Sequence, residues 1–129
     1  MPIHTSWWDD QASILIEKFK DEWSWNDVTQ ESLQVVYPLL ASVDHPIALI
    51  QDMLGSHWIP SMTLLQQVKA MFDTAPLHDA ITVLVIVSGE PSVDALLLSA
   101  FQLYGKKSCT YKTAPSIPKA IELIEQFQH

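Results

Sequence analysis

The chain has 129 residues, 48% of them hydrophobic and 17% charged, the size and balance of one ordinary domain (residues 1–129) rather than two. Fifteen acids stand against seven basic residues, every one a Lys, for a net charge of −8 with His neutral. This excludes the basic stripe that nucleic acid requires and the Arg fork that clamps phosphate, and it argues against an anionic membrane surface.

Residues 3–8 read as a short strand, and Asp9 to Ala12 as a turn. Ser13 to Lys20 alternates weakly, with Ile14 and Ile16 on one face and Leu15, Glu17 and Phe19 on the other, which favours a strand paired antiparallel to the first. Ser24 is a helix N-cap whose hydroxyl can accept from the Asp27 amide. An apolar stripe from Trp25 to Val43 follows, and Pro38 inside it predicts a kink or break near Tyr37. Ile47 to Met53 reads as a buried strand, and Gly55 to Ile59 as a loop. Pro60 or Ser61 opens a second helix that buries Leu64, Leu65, Val68, Met71 and Phe72. Ile81 to Val87 is apolar on both faces, as a strand covered from both sides should be. A turn at Ser88 to Ser92 leads into a third helix with Val93, Leu96, Leu97, Ala100, Phe101 and Tyr104 inward and Gly105 at its C′ position. Ser108 to Lys112 is a last short strand. Ser116 caps a fourth helix with Ile117, Ala120, Ile121, Ile124 and Phe127 inward. The result is an α/β chain with a mixed, mostly parallel sheet and four helices, in the order β-β-α-β-α-β-α-β-α.

That order resembles the STAS domain, the fold of bacterial anti-sigma factor antagonists and of their relatives in sulfate transporters. The resemblance spans nearly the whole chain through element order, with local support at Ile47–Asp52, Ile59–Ser61, Ile81–Val87 and Gly105–Tyr111. In STAS proteins an apolar strand ends near an Asp, and an Asp-Ser-Ser-Gly-like motif opens the next helix. Here Asp52 stands at the strand end and Ile59-Pro60-Ser61-Met62-Thr63 at the motif. Pro60 replaces the motif Asp, Ser61 matches the first Ser, Met62 takes the usual phosphoacceptor position, and Thr63 replaces Gly. In the regulatory members, phosphorylation at that helix start switches partner binding. A Met accepts no phosphate, so the resemblance implies a divergent stand-alone bacterial member without the usual switch, with Ser61 and Thr63 as flanking hydroxyls.

The remaining candidates divide between surface recognition and chemistry. Asp52, His57, Trp58, Ser61 and Thr63 are candidate regulatory or partner contacts, with helix capping as the plain alternative for the two hydroxyls. Asp52, His57, Ser61, Ser88 and Glu90 all fall near the carboxyl ends of strands, but no GxSxG elbow or phosphate-cradling glycine motif supports a hydrolase. No His pair has helical zinc spacing, and the single Cys109 excludes an intrachain disulfide and a CxxC zinc site, so no metal or cofactor is expected. Lys106 and Lys107 could activate Cys109, against a plain role as a small buried hydrophobe. Adjacent Trp7 and Trp8 should face opposite ways, one toward the core and one outward, and both are interface candidates for a homodimer or another protein through the N-terminal hairpin. Residues 1–53 hold nine acids against two Lys, and residues 54–129 six against five, so an acidic, aromatic N-terminal surface is expected. Neither a secretory leader nor a membrane span is recognised, which gives a cytoplasmic expectation. Together these suggest a non-enzymatic protein-binding or regulatory module. A small-ligand domain for a nucleotide or apolar molecule is the alternative, and a hydrolase ranks behind both.

Overall fold

The computed structural model describes residues 2–128 and has an α/β architecture built on one five-stranded sheet. Its elements are β1 (Ile3–Trp7), β2 (Ile14–Asp21), α1 (Trp25–Glu31), a π-helical turn (Ser32–Val36), α2 (Tyr37–Leu40), β3 (Ile47–Ser56), α3 (Leu64–Thr74), β4 (Ile81–Val87), α4 (Pro91–Tyr104), β5 (Thr110–Thr113) and α5 (Ile117–Gln128). With residues 25–40 counted as one bent helix, this is the expected order with four helices. Among the described residues, no helix is long and apolar enough to cross a membrane.

The strands lie side by side in sequence order, β1 antiparallel to β2 and all later neighbours parallel. Each parallel step goes the same way, so right-handed crossovers place the connecting helices on one face. There Leu15, Phe19, Leu49 and Leu84 of the sheet meet Val28, Val68, Leu97 and Phe101 of the helices. On the other face, α5 buries Ala120 and Ile124 against Ile16, Ala48, Ile50, Val83 and Val85. Burying a side chain of this size contributes about 2 kcal/mol, so these two layers carry the fold.

Local chemistry sets the punctuation. The Asp9 carboxylate accepts from the Ser13 and Ile14 amides at 2.9 and 3.1 Å, closing the β1–β2 hairpin. Ser24 caps α1 as expected, with its hydroxyl accepting from the Asp27 amide and the Asp27 side chain accepting from Ser24 N–H. Pro38 has no N–H and its ring would clash with the carbonyl one turn back. The helix widens ahead of it instead of breaking, and Tyr37 N–H donates to the Ser32 carbonyl five residues earlier.

Several expectations are corrected. β3 runs on to Ser56, past Met53. The helix expected to open at Pro60 or Ser61 begins at Leu64, and Ser61 is part of the turn before it, its carbonyl accepting from Leu64 N–H at 3.2 Å. Leu65, Leu96 and Phe127 are exposed, because a helix lying on a flat sheet buries one narrow strip; in α3 that strip is Leu64, Val68, Met71 and Phe72. Gly105 ends α4 with extended backbone, φ −77° and ψ −179°, so no left-handed turn explains it. Space does: a Cβ there would collide with the Tyr111 hydroxyl and the Phe101 carbonyl. Gly105→Ala should therefore lower stability by about 1–3 kcal/mol in urea denaturation, as overpacking does, whereas an unchanged midpoint would show that Tyr111 can move aside.

Candidate functional site

Residues 57–63 join β3 to α3 at the carboxyl end of the parallel strands, where open α/β sheets place their ligand and partner contacts. The segment is pinned at its start. His57 N–H donates to the Asp21 carbonyl at 3.0 Å. Trp58 stacks on Trp23 with ring centroids 4.9 Å apart and an interplanar angle of 26°, and meets Trp25 edge-on at 5.7 Å. Trp23 rests in turn on Phe19 at 4.8 Å and Trp25 on Phe101 at 6.3 Å, so the anchor reaches the sheet and α4. Each such pair adds about 0.5–1.5 kcal/mol beyond its burial.

Past the anchor the segment turns apolar side chains outward. Ile59 is 81% exposed, Met62 is fully exposed, and Leu54 and Leu65 are about half exposed. Four of the nine exposed large hydrophobics among the described residues fall in this twelve-residue stretch, so they are not scattered singly over the surface. The Ser61 and Thr63 hydroxyls lie 3.0 Å apart, and Ser61 Oγ accepts from Thr63 N–H at 3.3 Å. Leu54 reaches across to the β4–α4 turn: Gly89 takes φ +81°, and a Cβ on it would come within 3.0 Å of Leu54 Cδ2.

The other candidates are placed differently. Asp52 points to the α5 side of the sheet and borders a shallow groove with Trp7, Trp8, Lys18 and Ile117, so His57 and Ser61 are not its neighbours there. Its carboxylate accepts from Leu54 N–H at 3.1 Å. Among the described residues no hydrogen bond links the His57 ring to Asp52, Ser61, Ser88 or Glu90, and Ser88 Oγ instead fixes its own turn through Glu90 O and N–H. Trp7 packs partly on the core and Trp8, 54% exposed, faces out, which is the expected division. The expected acidic, aromatic surface keeps Trp8 and seven of its nine acids, while Trp23 and Trp25 are core residues and Glu17 and Glu31 are buried. Among the described residues, no group of three or more His, Cys, Asp or Glu could hold a metal ion.

Those two acids belong to a row the sequence reading passed over. Thr5, Glu17 and Gln51 pair directly across β1, β2 and β3, on the face under α1. The Thr5 hydroxyl donates to Glu31 Oε2 at 2.5 Å, and Gln51 Nε2 donates to Glu17 Oε1 at 3.3 Å. Glu17 Oε2 and Gln51 Oε1 have no hydrogen-bond partner. Burial pushes the Glu17 carboxyl up to about 7; the Gln51 bond works against this, and the Glu31 charge adds to it. The signal was present in the sequence, since a Glu between Leu15 and Phe19 on the inward side of a strand has to be accommodated in the core.

Two outcomes follow from these environments. The folded chain holds the Glu17 proton more tightly than the unfolded chain, so its contribution is complete below about pH 4.5 and is lost as pH rises to about 7. That loss is of order 3 kcal/mol by linkage. In Glu17→Gln, urea midpoints compared at the two ends of that window should show most of this slope gone; a slope equal to the native chain's would assign it elsewhere. Burial also pushes the Cys109 thiol up to about 11, against the smaller pull of the neighbouring Tyr111 hydroxyl and the Lys106 charge. A thiol reagent should thus leave the native protein unmodified and label it readily in urea, while labelling at equal rates would place the thiol at the surface. No family model, no curated protein and no solved structure matches the chain.

Proposed function

We propose that the chain is a non-enzymatic, cytoplasmic protein-recognition module, STAS-like in kind, that grips its partner through residues 54–65. The observation that carries this reading is the pairing of a pinned Trp58 with outward Ile59 and Met62. Apolar side chains on an ordered segment lose little conformational freedom on binding, so more of their burial becomes affinity. Met suits such a surface because its unbranched, polarizable side chain adapts to a partner's contour. In the STAS resemblance, Met62 stands where the phosphoacceptor governs partner binding. An apolar contact at that place replaces a charge switch with constitutive recognition. Ser61 and Thr63 serve the local turn. The partner presents an apolar or weakly basic surface, in keeping with a chain of net charge −8.

A photo-crosslinking amino acid placed singly at Ile59, Met62 or the exposed helix position Gln102 tests this in cells of the source organism. The reading predicts the same discrete adduct from Ile59 and Met62, whether with another protein or a second copy of the chain, and none from Gln102. It also predicts loss of the Met62 adduct when Ile59→Asp is added. No adduct from either loop position, or the same products from all three, would refute it.

A further inference from the structure

The face of the sheet under α1 contains a cavity of about 30 Å³, room for one or two water-sized groups. Its walls are mainly apolar, with Val28, Leu49, Leu84 and Phe101 among them, and it reaches Tyr37 and His78 on the side toward the α3–β4 connection. Glu17 and Gln51 also line it, at 2% and 5% exposure. They are the two residues whose Oε2 and Oε1 atoms are buried without a donor. A buried acceptor left without a donor costs about 1–3 kcal/mol, more when it is charged, so this pair asks for a group that brings protons.

We propose that this cavity is a binding site for a primary ammonium group, which donates one N–H to Glu17 Oε2 and another to Gln51 Oε1. The site lies apart from residues 54–65 and does not depend on the partner-recognition reading. Its chemistry excludes the commoner ligands. A carboxylate or phosphate would meet Glu17 with no Lys or Arg among the lining residues to offset it. A purely apolar molecule would leave both acceptors bare. Water supplies protons but not the positive charge that an ionised Glu17, with Glu31 nearby, requires. Three aromatic residues, Phe72, Phe101 and Tyr37, are also among the lining, a class of side chain that favours a cation. His78 Nδ1 accepts from Ala80 N–H at 3.0 Å, so that nitrogen is already engaged by the backbone. The overall negative charge favours the approach of an amine.

The titratable groups facing Glu17 are few. Glu31 comes from α1, Tyr37 from α2 and His78 from the α3–β4 connection, while β1 and β3 contribute only Thr5 and Gln51. Binding should therefore follow the ionisation of Glu17 and weaken about 30-fold between about pH 8 and pH 5.5. Methylammonium titrated into the native chain, read by NMR at the Gln51 side-chain amide, tests this. A saturable shift at the higher pH, its weakening at the lower pH and its loss in Glu17→Gln are the expected results. Gln51→Leu, which keeps the charge and removes the second acceptor, should weaken binding at least several-fold. Butylammonium distinguishes the sources: binding like methylammonium assigns the site to the head of a longer amine, and exclusion assigns it to free small amines. No saturable shift at the higher pH, meaning water alone occupies the cavity, would overturn the proposal. So would an equal response to tetramethylammonium, which has no N–H to donate. The pH series and the tetramethylammonium comparison use only the native chain and decide the question if a variant does not fold.

Discussion

The constraint on which the rest of the structure turns is the Glu17 carboxyl buried in the middle of the sheet. A carboxylate cannot be taken out of water without compensation, and at this place the chain supplies very little. Gln51 gives one hydrogen bond across the β2–β3 step, and Glu31 adds a second negative centre. The protein meets the cost by holding a proton on Glu17 further up the pH scale. The neighbours are arranged around that choice. Thr5 is engaged with Glu31 and not with Glu17, and the cavity is lined by Glu17 and Gln51.

The same face of the sheet supports the β3–α3 segment by a different force. Phe19, two residues after Glu17 on the same side of β2, is the floor for Trp23, and Trp23 is the floor for Trp58. β2 thus carries an ionisable group at its centre and an aromatic stack at its carboxyl end. The stack gains from dispersion and burial and is insensitive to pH, whereas the Glu17 row is governed by charge. Loop order and core electrostatics are therefore separable properties of one strand. That would suit the proposed recognition module.

Much of this was legible from residue types. Alternation in β2, the Ser24–Asp27 capping box, the doubly buried β4 and the order of elements follow from local pattern and appear as expected. What was not legible depends on contacts distant in sequence. The start of α3 shifts to Leu64 because Trp58 ties the preceding residues to the core, a constraint no local propensity carries. Gly105 looked like a turn residue and is a packing residue, since Tyr111 approaches it from the next strand. Trp25 heads the apolar stripe and is buried as that stripe implies, whereas the burial of Trp23 rests on Phe19 and Trp58, contacts that no local pattern carries. Asp52 and His57 are close in sequence, but strand alternation sends Asp52 to the opposite side of the sheet from the loop's aromatic anchor.

The most direct test is an NMR titration of the Glu17 side-chain carboxyl carbon in the folded chain. The account predicts a midpoint near 7, well above the ordinary value of 4.5. With no amine present, a midpoint at or below that ordinary value would mean that Glu17 is solvated, which would contradict the buried polar row.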